Sequence, residues 1–200
     1  QCPVSEAHIN ITLYLEVQSS WCFWFEPAWA QLKERYKDIA RFGWEIALMP
    51  PQAFPVSREQ CDVFYQRSGM AMQSGFMLNS AWFEEELKGD YAVANLVAEA
   101  GKDLGIAGDE LRIALSRAAM IDGRKIGRID EAVSVAVERC VLPGEALKEQ
   151  ALSAPIRQRV EASTQAFHDL KVDQRPTVVI ASGIGERAVF SGVVSLEPLA

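Results

Sequence analysis

The chain has 200 residues, 49% of them apolar and 24% charged, ordinary globular proportions that exclude a disordered, collagen-like or coiled-coil protein. Its net charge of −7 would be repelled by a phosphate backbone, which demotes nucleic-acid binding. No apolar run approaches the roughly 18 to 20 residues needed to span a bilayer, and a chain this long stands without disulfides or metal.

In chain order, Ile9 to Val17 alternates apolar and polar residues with period 2 and reads as a strand. Pro27 is expected to open a helix from Ala28 to Tyr36, since proline suits a first turn. Phe42, Trp44, Ile46 and Leu48 alternate again and stop at Pro50-Pro51. Strand, helix, strand is a parallel βαβ unit when the crossover is right-handed. From Ser57 to about Ser153 the period becomes 3.6. Ser57 with Gln60 reads as a capping box, and Asp90, Asp109 and Asp130 are expected to cap three further helices. After Pro155, the residues Ile156, Val160, Phe167 and Leu170 mark another helix. Thr177–Ala181 and Arg187–Ser191 are β-branched runs joined by a turn at 182–185. The start of a final helix follows Ser195.

The predicted order is β-α-β, a helical insertion, then α-β-β-α. The division is 1–55 for the first half of a sheet domain, 56–153 for the insertion and 154–200 for the second half. The four cysteines, at 2, 22, 61 and 140, show no C-x-x-C spacing, and neither His8 nor His168 completes a zinc-like set, so no metal is expected. The start, Gln1-Cys2-Pro3, has no signal-peptide pattern, so a cytoplasmic location is favoured although the compartment stays open.

Cys22 sits where the first strand hands over to the first helix. A helix N-terminus stabilises an anion, and a thiol placed there can have its pKa drawn from about 8.5 to between about 3.5 and 7.5. The alternative is a small buried hydrophobe, as free cysteines commonly are. Met70, Met72, Phe76, Met77, Trp82 and Phe83 form an adaptable apolar stretch that reads either as core or as a groove lining. His168 has no nucleophile nearby in sequence, and Gly183-x-Gly185 lies between strands, so a triad and a dinucleotide fingerprint are both set aside.

The segments Ser19-Ser20-Trp21-Cys22-Phe23-Trp24-Phe25-Glu26-Pro27 and Val172-Asp173-Gln174-Arg175-Pro176-Thr177-Val178-Val179, with the element order, resemble the DsbA-like thioredoxin-fold family. That family carries C-x-x-C at the first place and a cis-proline at the second. The resemblance implies an α/β thioredoxin-like fold with an all-helical insertion. It also implies catalytic residues Cys22 and Ser19 and substrate contacts from Ser20, Trp21, Arg175, Pro176 and Thr177. In one register Ser19 has replaced the first cysteine. In the other Cys22 is the exposed nucleophile and Phe25 stands in the place of its partner.

A serine at the first position is similar to the 2-hydroxychromene-2-carboxylate isomerases and kappa-class glutathione transferases, although Trp21-Cys22 departs from their usual Pro-Tyr-Ser run. Three functions follow from the resemblance. One is thiol oxidoreductase chemistry through a single thiol or with glutathione. The second is a glutathione-dependent isomerase or transferase, and the third a binding module that lost the reaction. Glutathione is the expected cosubstrate, with no tightly bound cofactor. The expected partners are a small-molecule thiol or an extended peptide, with no nucleic acid and no membrane, and a homodimer is left open. Arg175 is expected to lend positive charge to the pocket.

Overall fold

The structure is a computed structural model that describes residues 8–199. The predicted alternation forms β1 (Ile9–Leu15), whose Ile11, Leu13 and Leu15 are buried, and β2 (Ala40–Ile46), paired with it in parallel. β3 (Thr177–Ala181) runs antiparallel to β1, and β4 (Arg187–Ser191) antiparallel to β3, giving the order β2-β1-β3-β4. Placing β1 in the centre with a parallel and an antiparallel neighbour brings the end of β1 beside the loop that precedes β3. That junction holds the candidate site.

The first helix departs from expectation. α1 spans Ser20–Tyr36 and carries Pro27 inside it, seven residues after its start. Pro27 removes one backbone donor, that to the carbonyl of Phe23, yet Phe25, Trp29 and Leu32 are fully buried on the same helix. Burial of three large side chains, each worth about 1.5–3 kcal/mol, outweighs a local breaker.

Between β2 and β3 the chain is helical: α2 (Arg58–Ala71), α3 (Ala92–Asp103), α4 (Glu110–Met120), α5 (Ile129–Cys140), α6 (Gly144–Ala151) and α7 (Ala154–Asp169). Ser57 caps α2, its hydroxyl accepting from the Gln60 N–H at 3.1 Å, while the Gln60 side chain reaches back to the N–H of Val56. Ser57→Ala is expected to cost about 1 kcal/mol, read as a lower urea midpoint at unchanged slope.

Tyr91 takes the place before α3, but Asp90, one residue further out, still accepts from the Ala92 N–H at 3.4 Å. The other two aspartates do not cap as expected. Asp109 stands before α4, but its carboxylate is taken by Trp29, Lys33 and Arg112. Asp130 lies inside the first turn of α5 and pairs with Lys148. Ionic partners from other elements outbid the local backbone donors. α3 is buried from Ala94 to Gly101 and forms the centre of the helical layer. Its Asn95 accepts from the Val17 N–H at 3.0 Å and donates to Glu16 at 2.7 Å, fastening the insertion to the end of β1.

Candidate active site

β1 ends in a tight turn in which the Ser19 N–H donates to the Glu16 carbonyl at 3.1 Å, and α1 begins at once. Ser19 is the N-cap, with extended backbone, and its hydroxyl accepts from the Cys22 N–H at 3.3 Å. The Ser19 hydroxyl also hydrogen-bonds the Cys22 thiol. The N–H groups of Ser20 and Trp21, the first two of the helix, find no acceptor among the described residues, and no acidic side chain lies in that turn. Two unpaired donors therefore lie beside that hydroxyl at the positive end of a helix. The arrangement suits an anion.

Cys22 lies one turn in, at the third helical position, and only 5% of it is exposed. Burial pushes its thiol up to about 11, with Glu26 and Glu16 adding to the rise and the hydrogen bonds from the Ser19 side lowering it only in part. The activation expected of a thiol at a helix start is thus outweighed by desolvation. Phe25, the partner position of the second register, is fully buried. The exposed group at the helix start is the indole of Trp21.

Two cavities meet around Ser19, Trp21, Met49 and Ala53. One, of about 320 Å³, runs under the insertion between Phe54, Phe64, Tyr65 and Trp82, with Gln18 and Cys61 in its wall. The other, of about 560 Å³, opens towards the loop before β3 and is lined by Met72, Asp173, Gln174, Arg175 and Val194. Ser19 therefore stands at the junction of an aromatic lobe and a polar lobe. Such a shape holds two reactants on either side of one polar group.

The loop before β3 carries a cis peptide between Arg175 and Pro176. The Arg175 guanidinium donates to the carbonyls of Ala47 at 2.6 Å, Leu48 at 2.7 Å and Asp173 at 3.1 Å, and lies 4.4 Å from the Phe167 ring centre. Its charge is held between the end of β2 and the loop, so much of it serves the backbone rather than the open cleft. The Arg175 main-chain N–H and C=O pair with none of the described residues, which leaves both unmet at a bend that lines the polar lobe. Thr177 is fully buried, and its hydroxyl donates to the Gln174 carbonyl at 2.7 Å rather than towards the cleft.

The methionine- and aromatic-rich stretch divides. Trp82 is buried and lines the aromatic lobe, and Met72 lines the polar one. Met70, Phe76 and Met77 are exposed. His168 is exposed beside Phe167. Cys2 lies outside the described residues. Cys61 and Cys140 are free thiols, and Cys61 is buried in the wall of the aromatic lobe, where the Tyr65 hydroxyl donates to it.

Glu16, Gln18 and Asn95 were not anticipated. Glu16 is buried, and desolvation lifts its carboxyl to about 7 against the pull of Asn95, the Met49 and Gln18 N–H groups and Arg175. The signal was a polar pair directly before Ser19, at the carboxyl end of a strand, where α/β folds place their sites.

No protein-family model matches the chain, and no curated protein matches it in sequence. Solved structures do. Cytosolic disulfide reductase DsbM from Pseudomonas aeruginosa superposes with a TM-score of 0.73 over 94% of each chain at 17% identity. The fold is DsbA-like. A candidate protein disulfide isomerase from Nitrosomonas europaea gives the same TM-score over 96% of this chain and 94% of that one, at 16% identity. DsbA from Pseudomonas aeruginosa itself gives 0.57 over 86% of this chain and 69% of its own, at 13% identity. In this DsbA-like fold the insertion lies over the end of α1 that carries Ser19.

Proposed function

We propose that the protein binds glutathione, or a thiol of the same kind, with its sulfur at Ser19, and uses it as cosubstrate in a transferase or isomerase reaction. The observation that carries this reading is the division of labour at the start of α1. Ser19, although only 6% exposed, lines both cavities, whereas Cys22 lines neither and is buried with a thiol pushed up to about 11. A thiolate at Ser19 would accept from the Ser19 hydroxyl and from the unpaired N–H groups, which lowers the pKa of the bound thiol. The unmet main-chain groups of Arg175 offer a tripeptide a donor and an acceptor in the polar lobe, and the aromatic lobe receives the molecule the thiolate attacks.

Calorimetry tests the binding, and thiolate absorbance against pH tests the activation. Ser19→Gly keeps the cap to within a few tenths of a kcal/mol yet removes the hydroxyl. It is expected to lower the bound thiolate fraction at neutral pH about 10- to 100-fold, because a hydrogen bond to a charged group is worth about 1.5–3 kcal/mol. Absence of glutathione binding to the wild type would end this reading.

A second reading is glutathione-assisted thiol exchange through Cys22. It is favoured by the fold neighbours, among them DsbM solved with GSH at a TM-score of 0.71. It requires α1 to open far enough to expose Cys22, and alkylation of that thiol at pH 7 by a bulky reagent would reveal the opening.

A further inference from the structure

The sheet has two edges, β2 and β4. The outer side of β2 is occupied by the helical layer: the Lys102 ammonium donates to the Trp44 carbonyl at 2.9 Å and the Ser163 hydroxyl to the Ile46 carbonyl at 2.6 Å. β4 has no such cover among the described residues. Its ladder with β3 fixes which groups are left over. The Gly192 N–H donates to the Pro176 carbonyl and the Ser182 N–H to the Glu186 carbonyl, both at 2.9 Å. Hydrogen-bonded pairs therefore alternate inward through Val178/Phe190 and Ile180/Ala188. Arg187, Val189 and Ser191 turn their N–H and C=O groups outward, where none of the described residues meets them. Exposed edges are ordinarily guarded by lysine, proline or a bulge. β4 reads Arg-Ala-Val-Phe-Ser, with unbroken register and a single charge.

We infer that β4 pairs with β4 of a second copy, antiparallel about a two-fold axis through Val189, which joins two four-stranded sheets into one. The edge itself selects this register. About that axis Val189 meets Val189 and Arg187 meets Ser191, so every outward N–H and C=O of one strand finds its counterpart on the other. A slip of one residue sets outward groups against inward ones. A slip of two sets Ser191 against the turn at 185 or Arg187 against residue 193, beyond the strand. Charge agrees, because Arg187 lies opposite a serine rather than its own copy. So does side-chain size: half-buried Phe190 lies opposite exposed Ala188. A foreign strand would find no pocket or charge here to be chosen by, whereas a second copy matches the edge at every position.

Sedimentation equilibrium on the whole protein tests the pairing. A five-residue edge belongs with small interfaces, under about 1,200 Å², so the mass should approach twice 22.1 kDa over about 10–100 μM. Each copy carries −7 while the contact is nearly uncharged, so raising salt from about 0.05 to 0.5 M should tighten the dimer. Val189→Pro removes an N–H that β3 does not use, so it should melt with the wild type and dimerise at least about tenfold more weakly. The register has its own readout, independent of how the strand tolerates proline. Residues 188 and 190 face each other across the axis as a non-hydrogen-bonded pair, with Cα atoms about 4.5 Å apart, within disulfide reach. Ala188→Cys mixed with Phe190→Cys should give, under oxidation, a cross-linked dimer that neither variant forms alone. A wild type that stays at 22.1 kDa throughout would overturn the inference. So would a dimer that survives Val189→Pro or dissociates as salt rises, or a mixture of the cysteine variants that cross-links no more than each does alone.

Discussion

Ser19→Cys is expected to turn the protein into a dithiol–disulfide oxidoreductase. The N-cap and the third helical position are one turn apart, and the Cys22 N–H already lies 3.3 Å from the Ser19 oxygen, so the substitution completes a C-x-x-C pair at a helix start. The two thiols would have opposite environments. The introduced one meets the free N–H groups of Ser20 and Trp21 with no acidic neighbour in the turn. It should titrate between about 3.5 and 7.5, the range of thiols at helix N-termini. Cys22 stays buried and protonated near 11 until the first thiol has formed a mixed disulfide, and then resolves it. The gain should appear as turnover of a small disulfide substrate where the wild type has none, and as loss of both free thiols in an oxidised glutathione buffer. Cys22→Ala in the same background should keep the fast alkylation and lose the turnover. An introduced thiol that titrates near about 8.5 would show that the site does not stabilise an anion, and the thiol-binding proposal would fall with it.

How much of this could be read from the residues divides along a physical line. The sheet was legible because its strands follow period 2: Ile11, Leu13 and Leu15 face the core as the alternation requires, and β3 and β4 coincide with their β-branched runs. The meeting of the two segments that carry the candidate site was legible too, since Ser19 follows the carboxyl end of β1 and Pro176 precedes β3. The start of α1 was not, because Pro27 signals a first turn locally and only the burial of Phe25, Trp29 and Leu32 overrides it. Asp109 looked like a cap because capping is local, whereas its partners Trp29 and Lys33 are about 80 residues away in sequence. The reactivity of Cys22 was beyond reach for the same reason. A helix start lowers a thiol pKa and burial raises it, and only the packed structure says which is larger.

The helical insertion does more than roof the cleft. Through Asn95 it grips Val17 and Glu16, the two residues that carry β1 into the turn before Ser19, and through Tyr65 and Trp82 it supplies the wall of the aromatic lobe. The spacing of the two lobes is therefore fixed by the packing of the insertion on the sheet rather than by loop conformation. Sites held on packed elements keep their geometry within the tolerance that bringing two reactants together demands.

Glu16 makes the stability of this junction depend on pH. Its carboxyl has 1% exposure and titrates at about 7 against an ordinary 4.5, with desolvation as the largest cause. Below pH 4.5 the group is protonated in both the folded and the unfolded chain and costs nothing. Between 4.5 and 7 the unfolded chain releases its proton while the folded one keeps it, so stability falls as pH rises. Above 7 both have lost it and the full penalty remains. At about 1.4 kcal/mol per pKa unit the loss across that window is about 3 kcal/mol. Glu16→Gln removes the titration but also alters the contacts with Asn95 and the Met49 N–H, at 2.7 and 3.3 Å, and that cost does not vary with pH. The readout is therefore the difference in unfolding free energy between wild type and variant, measured by urea denaturation. It should shift by about 3 kcal/mol in favour of the variant between pH 4.5 and pH 8, and a difference flat over that range would show that Glu16 ionises as freely in the folded protein as in the unfolded chain. Ionised Glu16 also places a negative charge near Cys22 and the start of α1, so a thiol held at Ser19 should have a lower pKa while Glu16 is protonated than after it has ionised.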